Sequence, residues 1–177
     1  RAWLDQGLDI GRISVNIAGP QIQRGGLVSE VNEALSVSGL PTSHLELEVT
    51  EGFIMQQAEF AIEQLLEIRQ LGVTLAIDDF GTGYSSLSYL KKLPIDKLKI
   101  DRSFVQDIPD DPDDMAIAEA VIALGKSLRL TVIAEGVETE AQSGFLKEAG
   151  CQEVQGFLFS KPIKPEELEK LLPELKT

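Results

Sequence analysis

Six short stretches of the chain alternate apolar and polar residues with the two-residue period of a strand: Ile13–Ala18, Leu45–Thr50, Val73–Phe80, Lys97–Asp101, Thr131–Glu135 and Val154–Ser160. Between them, Gln21–Val37, Gln57–Leu71, Ser85–Leu93 and Met115–Leu130 read as helices. Thr139-Glu-Ala-Gln142 has the form of a capping box opening a further helix, and Pro165-Glu-Glu opens a last one. Regular alternation of strand and helix predicts parallel strands joined by crossover helices. The strand starts lie 23 to 34 residues apart, so eight such units need on the order of 225 residues, near the ~250 of a closed (β/α)8 barrel. This chain holds about six. It forms either an open sheet or a barrel without its first units.

In the first strand Ser14 and Asn16 oppose the apolar face. In the second, Glu46, Glu48 and Thr50 do so; in the third, Thr74, Ala76 and Asp78. Lys97, Lys99 and Asp101 share the polar face of the fourth strand, Ile133 and Glu135 that of the fifth, and Gln155 lies beside Gly156 in the sixth. A parallel sheet buried on both sides normally reads as nearly continuous hydrophobics. Here polar groups interrupt every strand, mostly near its C-terminal end, where βα proteins carry their active sites. Helix capping would explain Thr50, Asp78 and Asp79 one by one, and an ion pair would explain Lys97 with Glu46. Six strands converging on one polar patch point instead to a binding or catalytic centre.

The chemistry of the patch follows from its donors. Asn16, Glu48, Asp78, Asp79 and Glu135, with Lys99, Asp101, Glu138 and Gln155 nearby, form a carboxylate-rich set. Crowded carboxylates repel one another, and divalent cations relieve that repulsion. Hard oxygen donors select Mg²⁺, Mn²⁺ or Ca²⁺ over zinc. The adjacent pair Asp78-Asp79 suits two ions sharing one ligand, an arrangement that activates water and clamps a phosphodiester. Lys99 would orient that water or stabilise charge; its other reading is a buried ion-pair partner. Gly81-Thr-Gly83-Tyr-Ser-Ser86 lacks the third glycine of a dinucleotide fingerprint, and reads as a tight turn or as an anion contact at a helix start. No nucleophile elbow is present.

Composition narrows the choice. Over 177 residues, 16 Lys+Arg stand against 29 Asp+Glu, a formal net charge of −13. That balance argues against duplex nucleic acid as a partner. The single Cys151 excludes an internal disulfide, and with His44 as the one histidine, histidine-rich metal sites fall away. No apolar run approaches the ~20 residues of a membrane span, and no signal-like segment is visible, so no membrane contact by this segment and a cytoplasmic setting are expected. The stretch Asp107–Asp114 is strongly acidic but lacks the ligand spacing and central glycine of a calcium loop, and reads as a solvated loop.

Glu48-Val-Thr-Glu51, Asp78-Asp-Phe-Gly-Thr-Gly83, Lys99-Ile-Asp101, Ala134-Glu-Gly-Val-Glu138 and Gln155-Gly-Phe-Leu-Phe-Ser-Lys-Pro162 resemble, in order, the motifs of the EAL-domain family of cyclic di-GMP phosphodiesterases. The resemblance implies a TIM-like (β/α)8 barrel, two Mg²⁺ or Mn²⁺ ions with Ca²⁺ as an inhibitory substitute, and hydrolysis of cyclic di-GMP to linear pGpG. It implies that Asn16 and Glu48 ligate the first metal, that Asp78 bridges, and that Asp79 and Glu135 ligate the second. Lys99 matches the lysine at the catalytic water, and Gln155 a residue supporting site and substrate. Glu51 matches the glutamate bracing the loop Asp79–Gly83, which includes Gly81 and Thr82 and is tied to metal binding and dimerisation. Asp101 and Glu138 fall on motif positions with less defined roles. The resemblance also implies a homodimer and fused or separate cyclase and sensory domains, within a larger and sometimes membrane-associated signalling protein.

One departure stands out. The Glu-Ala-Leu signature lies upstream of the Asn16 strand in the family, and the triplet Glu33-Ala34-Leu35 falls in a predicted helix instead. Residues 1–177 are therefore expected to be a partial domain lacking the first strands and one metal ligand, weakly active or inactive by itself and prone to self-association through uncovered apolar surface. Trp3 and Leu4 read as packing residues. A non-catalytic cyclic di-GMP sensor or scaffold is the alternative. A phosphoacceptor receiver domain, which also combines an Asp pair with a strand-end Lys, has too few strands to hold this pattern.

Overall fold

A computed structural model describes residues 1–83 and 87–172, apart from the side chains of Met55 and Ala58. Six strands form one parallel sheet in sequential order: β1 (Ile13–Ile17), β2 (Leu45–Thr50), β3 (Thr74–Phe80), β4 (Lys97–Ile100), β5 (Thr131–Ala134) and β6 (Glu153–Val154). Sequential order in a parallel sheet is the order of a barrel; an open doubly wound sheet reverses direction at a switch point. The sheet does not close, because β1 and β6 each pair on one side only. The fold is thus a barrel-type sheet left open.

The helices described are α1 (Ala2–Asp5), α2 (Gly19–Arg24), α3 (Leu27–Ser38), α4 (Glu51–Gln56), α5 (Ala58–Gln70), α6 (Leu87–Leu90), α7 (Pro112–Leu128), α8 (Glu140–Ala149) and α9 (Pro165–Leu171). Leu47, Val49, Leu75, Ile77, Leu98, Ile100, Val132 and Ala134, the apolar faces of the four central strands, are all buried, with Leu65 and Ile68 of α5 and Val121 and Ile122 of α7 in the same core. The alternating pattern therefore places the core as expected. Thr139 accepts a hydrogen bond from Gln142 N, and the Gln142 side chain accepts from Thr139 N, which is the predicted capping box. The acidic stretch also acquires a purpose. Asp111 Oδ1 accepts from Asp113 N and Asp114 N and caps α7, with Pro112 in its first turn.

Three expectations need correction. The helix predicted over Gln21–Val37 is two helices, because Gly25 and Gly26 both adopt positive φ (76° and 82°), which breaks a helix and which glycine tolerates. The sixth strand is two residues long instead of spanning Val154–Ser160. Gly156 presses so closely on Val137 that a Cβ there would lie 2.0 Å from its carbonyl oxygen, and Leu158 N donates to Val137 O. The backbone after Val154 therefore satisfies itself against the β5–α8 loop. Finally, Ile13 and Val15 of β1 are not packed under helices but are about two-fifths exposed, as edge-strand residues without a covering element. The predicted start of the helix Ser85–Leu93 lies outside the described residues, which show α6 over Leu87–Leu90.

Candidate metal and catalytic site

The concave face carries two polar layers. Ser14, Glu46, Lys97 and Glu153 lie nearer the strand starts. Asn16, Glu48 and Lys99 follow two residues later on the same strands, and Gln155 just past the end of β6. Asp78 and Glu135 join the second layer from β3 and from the end of β5. Its centre is Lys99, whose Nζ lies 2.6 Å from Glu48 Oε2, 2.7 Å from Glu135 Oε1 and 3.0 Å from Asp78 Oδ1. Four strand ends, β2 to β5, thus meet at one ammonium. Lys99 is 3% exposed and Glu48 5%, so these contacts are shielded from bulk water.

Asn16 closes the cluster from β1, in register with Glu48. Its amide faces Asp78 Oδ2 at 3.2 Å and Glu48 Oε2 at 3.3 Å. With the nitrogen inward it donates to both carboxylates; with the oxygen inward three acceptors confront one another, and a cation must sit between them. The adjacent pair Asp78-Asp79 follows from an irregularity. Ile77 pairs with Leu98 but Phe80 with Ile100, so two residues of β3 stand opposite Lys99 alone. Strict alternation would send Asp79 to the helix side. The extra residue and the left-handed backbone of Asp79 (φ 55°) turn the chain there, and Asp79 N donates to Asp78 Oδ1 at 3.0 Å.

Electrostatics follow from this crowding. Burial raises the Glu135 carboxyl above its usual range, against the pull of Lys99, and Asp78 and Glu48 raise it further. Burial also raises Asp79, with Asp78 and Asp101 adding to it. Burial works to lower the Lys99 ammonium, but hydrogen bonds to Glu135, Glu48 and Asp78 outweigh it and hold the group well above its ordinary value. In the metal-free chain Lys99 is therefore a cationic donor at neutral pH.

The remaining sequence-predicted residues surround this cluster. Glu51, fully buried at the start of α4, accepts from Gly81 N at 2.8 Å, and a Cβ at Gly83 would lie 2.8 Å from its Oε1. Thr82 Oγ1 donates to Asp79 O at 2.8 Å, closing the turn. Tyr84–Ser86, the rest of the glycine-containing motif, fall outside the described residues. Asp101 accepts from Ser103 N and Oγ and caps the short turn Arg102–Phe104. Glu138 is exposed and bridges to Arg102 at 2.9 Å, away from Lys99. Gln155 is exposed at the rim, tied through its backbone to Ala134 and Val137. Glu153 and Arg102 were not singled out from sequence. Glu153 was findable, because it precedes Gln155 by two residues on the same face.

Can these residues hold a divalent cation? Among the described residues, no three carboxylate, histidine or cysteine side chains already enclose one, since the Lys99 ammonium lies among the oxygens instead. The donor set nevertheless fits. Three carboxylates, Glu48, Asp78 and Glu135, surround one ammonium, leaving excess negative charge to which the neighbouring Asp79 adds, and the Asn16 amide aims at two of them. All the donors are oxygens of the kind Mg²⁺, Mn²⁺ and Ca²⁺ prefer.

Sequential parallel strands and a carboxylate-rich strand-end cluster define a barrel-type domain, and the chain belongs to the EAL domain family, whose model matches residues 1–162. It is 52% identical over 161 residues to the cyclic di-GMP phosphodiesterase NbdA of Pseudomonas aeruginosa, covering 91% of this chain and 21% of that protein. It is 49% identical over 168 residues to the bifunctional diguanylate cyclase/cyclic di-GMP phosphodiesterase MucR of the same organism, covering 95% of this chain and 24% of that one. The solved MucR phosphodiesterase, in complex with c-di-GMP, superposes with a TM-score of 0.91 at 48% identity over 94% of this chain and 68% of that chain. BlrP1 of Klebsiella pneumoniae, solved with manganese and cyclic di-GMP, gives a TM-score of 0.81 at 34% identity over 90% of this chain and 41% of its own; it is also solved with calcium and cyclic di-GMP. The chain thus spans between a fifth and a quarter of the length of the curated relatives it matches.

Proposed function

We propose that this chain is the greater part of a cyclic di-GMP phosphodiesterase domain, acting in bacterial second-messenger signalling and opening the cyclic dinucleotide to linear pGpG. The observation that carries the reading is the convergence of Glu48, Asp78 and Glu135 from three strands on Lys99. Asn16, Glu48 and Asp78 would hold a first divalent ion, and Asp78, Asp79 and Glu135 a second, Mg²⁺ or Mn²⁺. Such ions supply Lewis-acid polarisation of the phosphodiester and a water acidic enough to attack it.

The chain's own groups do the rest. Lys99, kept protonated, donates hydrogen bonds toward the attacking water and the charge that builds on phosphorus oxygens. Glu51 holds the Asp79–Gly83 turn through Gly81 N, which keeps the Asp78-Asp79 pair in place. Gln155, at the rim, contacts substrate, and Asp101 and Glu138 support the neighbouring turns. With a net charge of −13 the chain repels a dianionic dinucleotide at long range, so bound cations reverse the field locally. The Glu-Ala-Leu signature of the family is placed upstream of the Asn16 strand, and its glutamate would add to the first metal site. A homodimer formed near the Asp79–Gly83 turn, a partner cyclase or sensory domain, and a cytoplasmic location complete the reading; no helix among the described residues is long and apolar enough to cross a membrane.

The test is titration of the 177-residue chain with cyclic di-GMP, with and without Mn²⁺, followed by chromatography of the products. Mn²⁺-dependent binding with slow or absent conversion to pGpG is expected, with conversion restored when the upstream signature segment is attached. Binding that survives chelation, with no product from either form, would mean a metal-independent sensor.

Proton linkage gives a second check. Asp79 and Glu135 have raised folded-state pKa values. In the metal-free chain each contributes stability that is present below its unfolded pKa and is lost as pH rises through the raised folded one. A cation must displace those protons, so its affinity falls with acidification sooner than ordinary carboxylates would dictate. The increase in Tm caused by Mn²⁺ is therefore expected to be larger at neutral pH than in mild acid. An equal increase at both would remove these carboxylates from the ligand set.

A further inference from the structure

Beneath the site a second ion cluster runs across the concave face. Ser14 Oγ of β1 donates to Glu46 Oε1 of β2 at 2.9 Å; Glu46 Oε2 lies 3.1 Å from Lys97 Nζ of β4; Lys97 donates to Glu153 Oε2 of β6 at 2.5 Å. Lys97 is 7% exposed and Glu46 3%, whereas the Glu153 side chain is 41% exposed. The chain of contacts skips β3 and β5, whose residues in register with Lys97, Ala76 and Thr131, carry no charge. The sequence showed only the Lys97–Glu46 half, and the proposed chemistry uses none of these groups.

A buried ion pair is seldom worth more to stability than an apolar pair of the same volume, so its presence calls for a reason other than stability. Geometry supplies one. Lys97 reaches β2 on one side and β6 on the other, so its position governs how far the two flanks of the open sheet curl toward each other. Asn16 and Glu48 stand two residues beyond Ser14 and Glu46, and Gln155 two beyond Glu153. β6 pairs with β5 through only two residues and, among the described residues, has no strand on its far side, so it has the least other restraint.

We propose that Lys97 is a positioning residue: through Glu46 and Glu153 it sets the curvature of the sheet, and with it the span across which the upper-layer oxygens face a cation. This deepens the proposed metal site and rests on it for the cation, but the curvature itself can be read without any metal.

The experiment compares the 177-residue chain with a Glu46→Gln/Lys97→Met double variant, which leaves no buried charge unpaired, and with Lys97→Arg, which keeps the cation. Three quantities are read: amide hydrogen exchange, Tm and Mn²⁺ affinity. In the double variant, protection of the Gln155 amide, which donates to Ala134 O, should fall about tenfold. Mn²⁺ affinity should fall by a similar factor, with Tm within a few degrees of wild type and the β2 and β3 amides unchanged. Lys97→Arg should return both quantities to within about twofold. Unchanged Gln155 protection would overturn the proposal, and so would a uniform loss of protection and Tm, or failure of the double variant to fold, because each marks a merely structural pair. If wild-type chain binds no Mn²⁺, the metal reading falls, and the Gln155 amide alone decides the role of Lys97.

Discussion

Replacing Lys99 by methionine is expected to cost the metal-free chain on the order of 3–5 kcal/mol, because the change leaves Glu48, Asp78 and Glu135 facing one another with no cation among them. For a chain of this size that is a fall in Tm on the order of 10 °C. Protonation of Glu135, whose carboxyl burial already raises, will recover part of the loss at low pH. Divalent cations should recover most of it at neutral pH, so Mn²⁺ must raise the Tm of Lys99→Met by more than it raises that of wild type. The second half carries the argument. A generic core defect also lowers Tm, but it does not become more responsive to metal. Equal Mn²⁺ shifts in the two proteins would show that Lys99 and the ions do not occupy the same ring of oxygens.

The second large effect concerns turnover. Asp78→Asn removes one negative charge from a carboxylate that meets both Asn16 and Lys99, while keeping its shape. In the domain with its upstream segment attached, cyclic di-GMP hydrolysis should fall by about 10³-fold or more, the scale expected when a group stabilising transition-state charge is lost. The matched control is Glu138→Gln. Glu138 sits on an exposed bridge to Arg102, away from the cluster, and a surface pair of that kind contributes little. Its substitution should change the rate by less than about tenfold. Comparable losses at the two positions would contradict the assignment of Asp78 as the shared ligand.

Much of this site was legible because strand alternation is a strict code. Asn16, Glu48, Asp78, Lys99 and Glu135 all lie on the polar face that period two assigns, and the core lies on the other. What the code could not express were departures from regular structure. The second carboxylate of the Asp78-Asp79 pair needs an extra residue in β3 and a left-handed backbone at Asp79. Both are consequences of pairing with β4 and are invisible in one strand's sequence. The sixth strand was overestimated because Phe157, Leu158 and Phe159 have the composition of a strand, while the contact of Gly156 with Val137 that ends it is a tertiary event. β1 reads as half-buried by pattern, yet Val15 is exposed, since burial depends on the neighbour as well as on the strand. Glu153 was passed over for a plainer reason: its partner, Lys97, is 56 residues away, and no local spacing links them.

The central claim is that oxygens from separate strands gather around divalent cations at the C-terminal end of this sheet. Diffraction from crystals grown with Mn²⁺, collected at the manganese edge, tests it most directly. Anomalous peaks should lie within ligand distance of Glu48 and Asp78, with the Lys99 ammonium drawn away from at least one of its present carboxylate partners. An absence of peaks there, or density confined to the acidic stretch Asp107–Asp114, would contradict it.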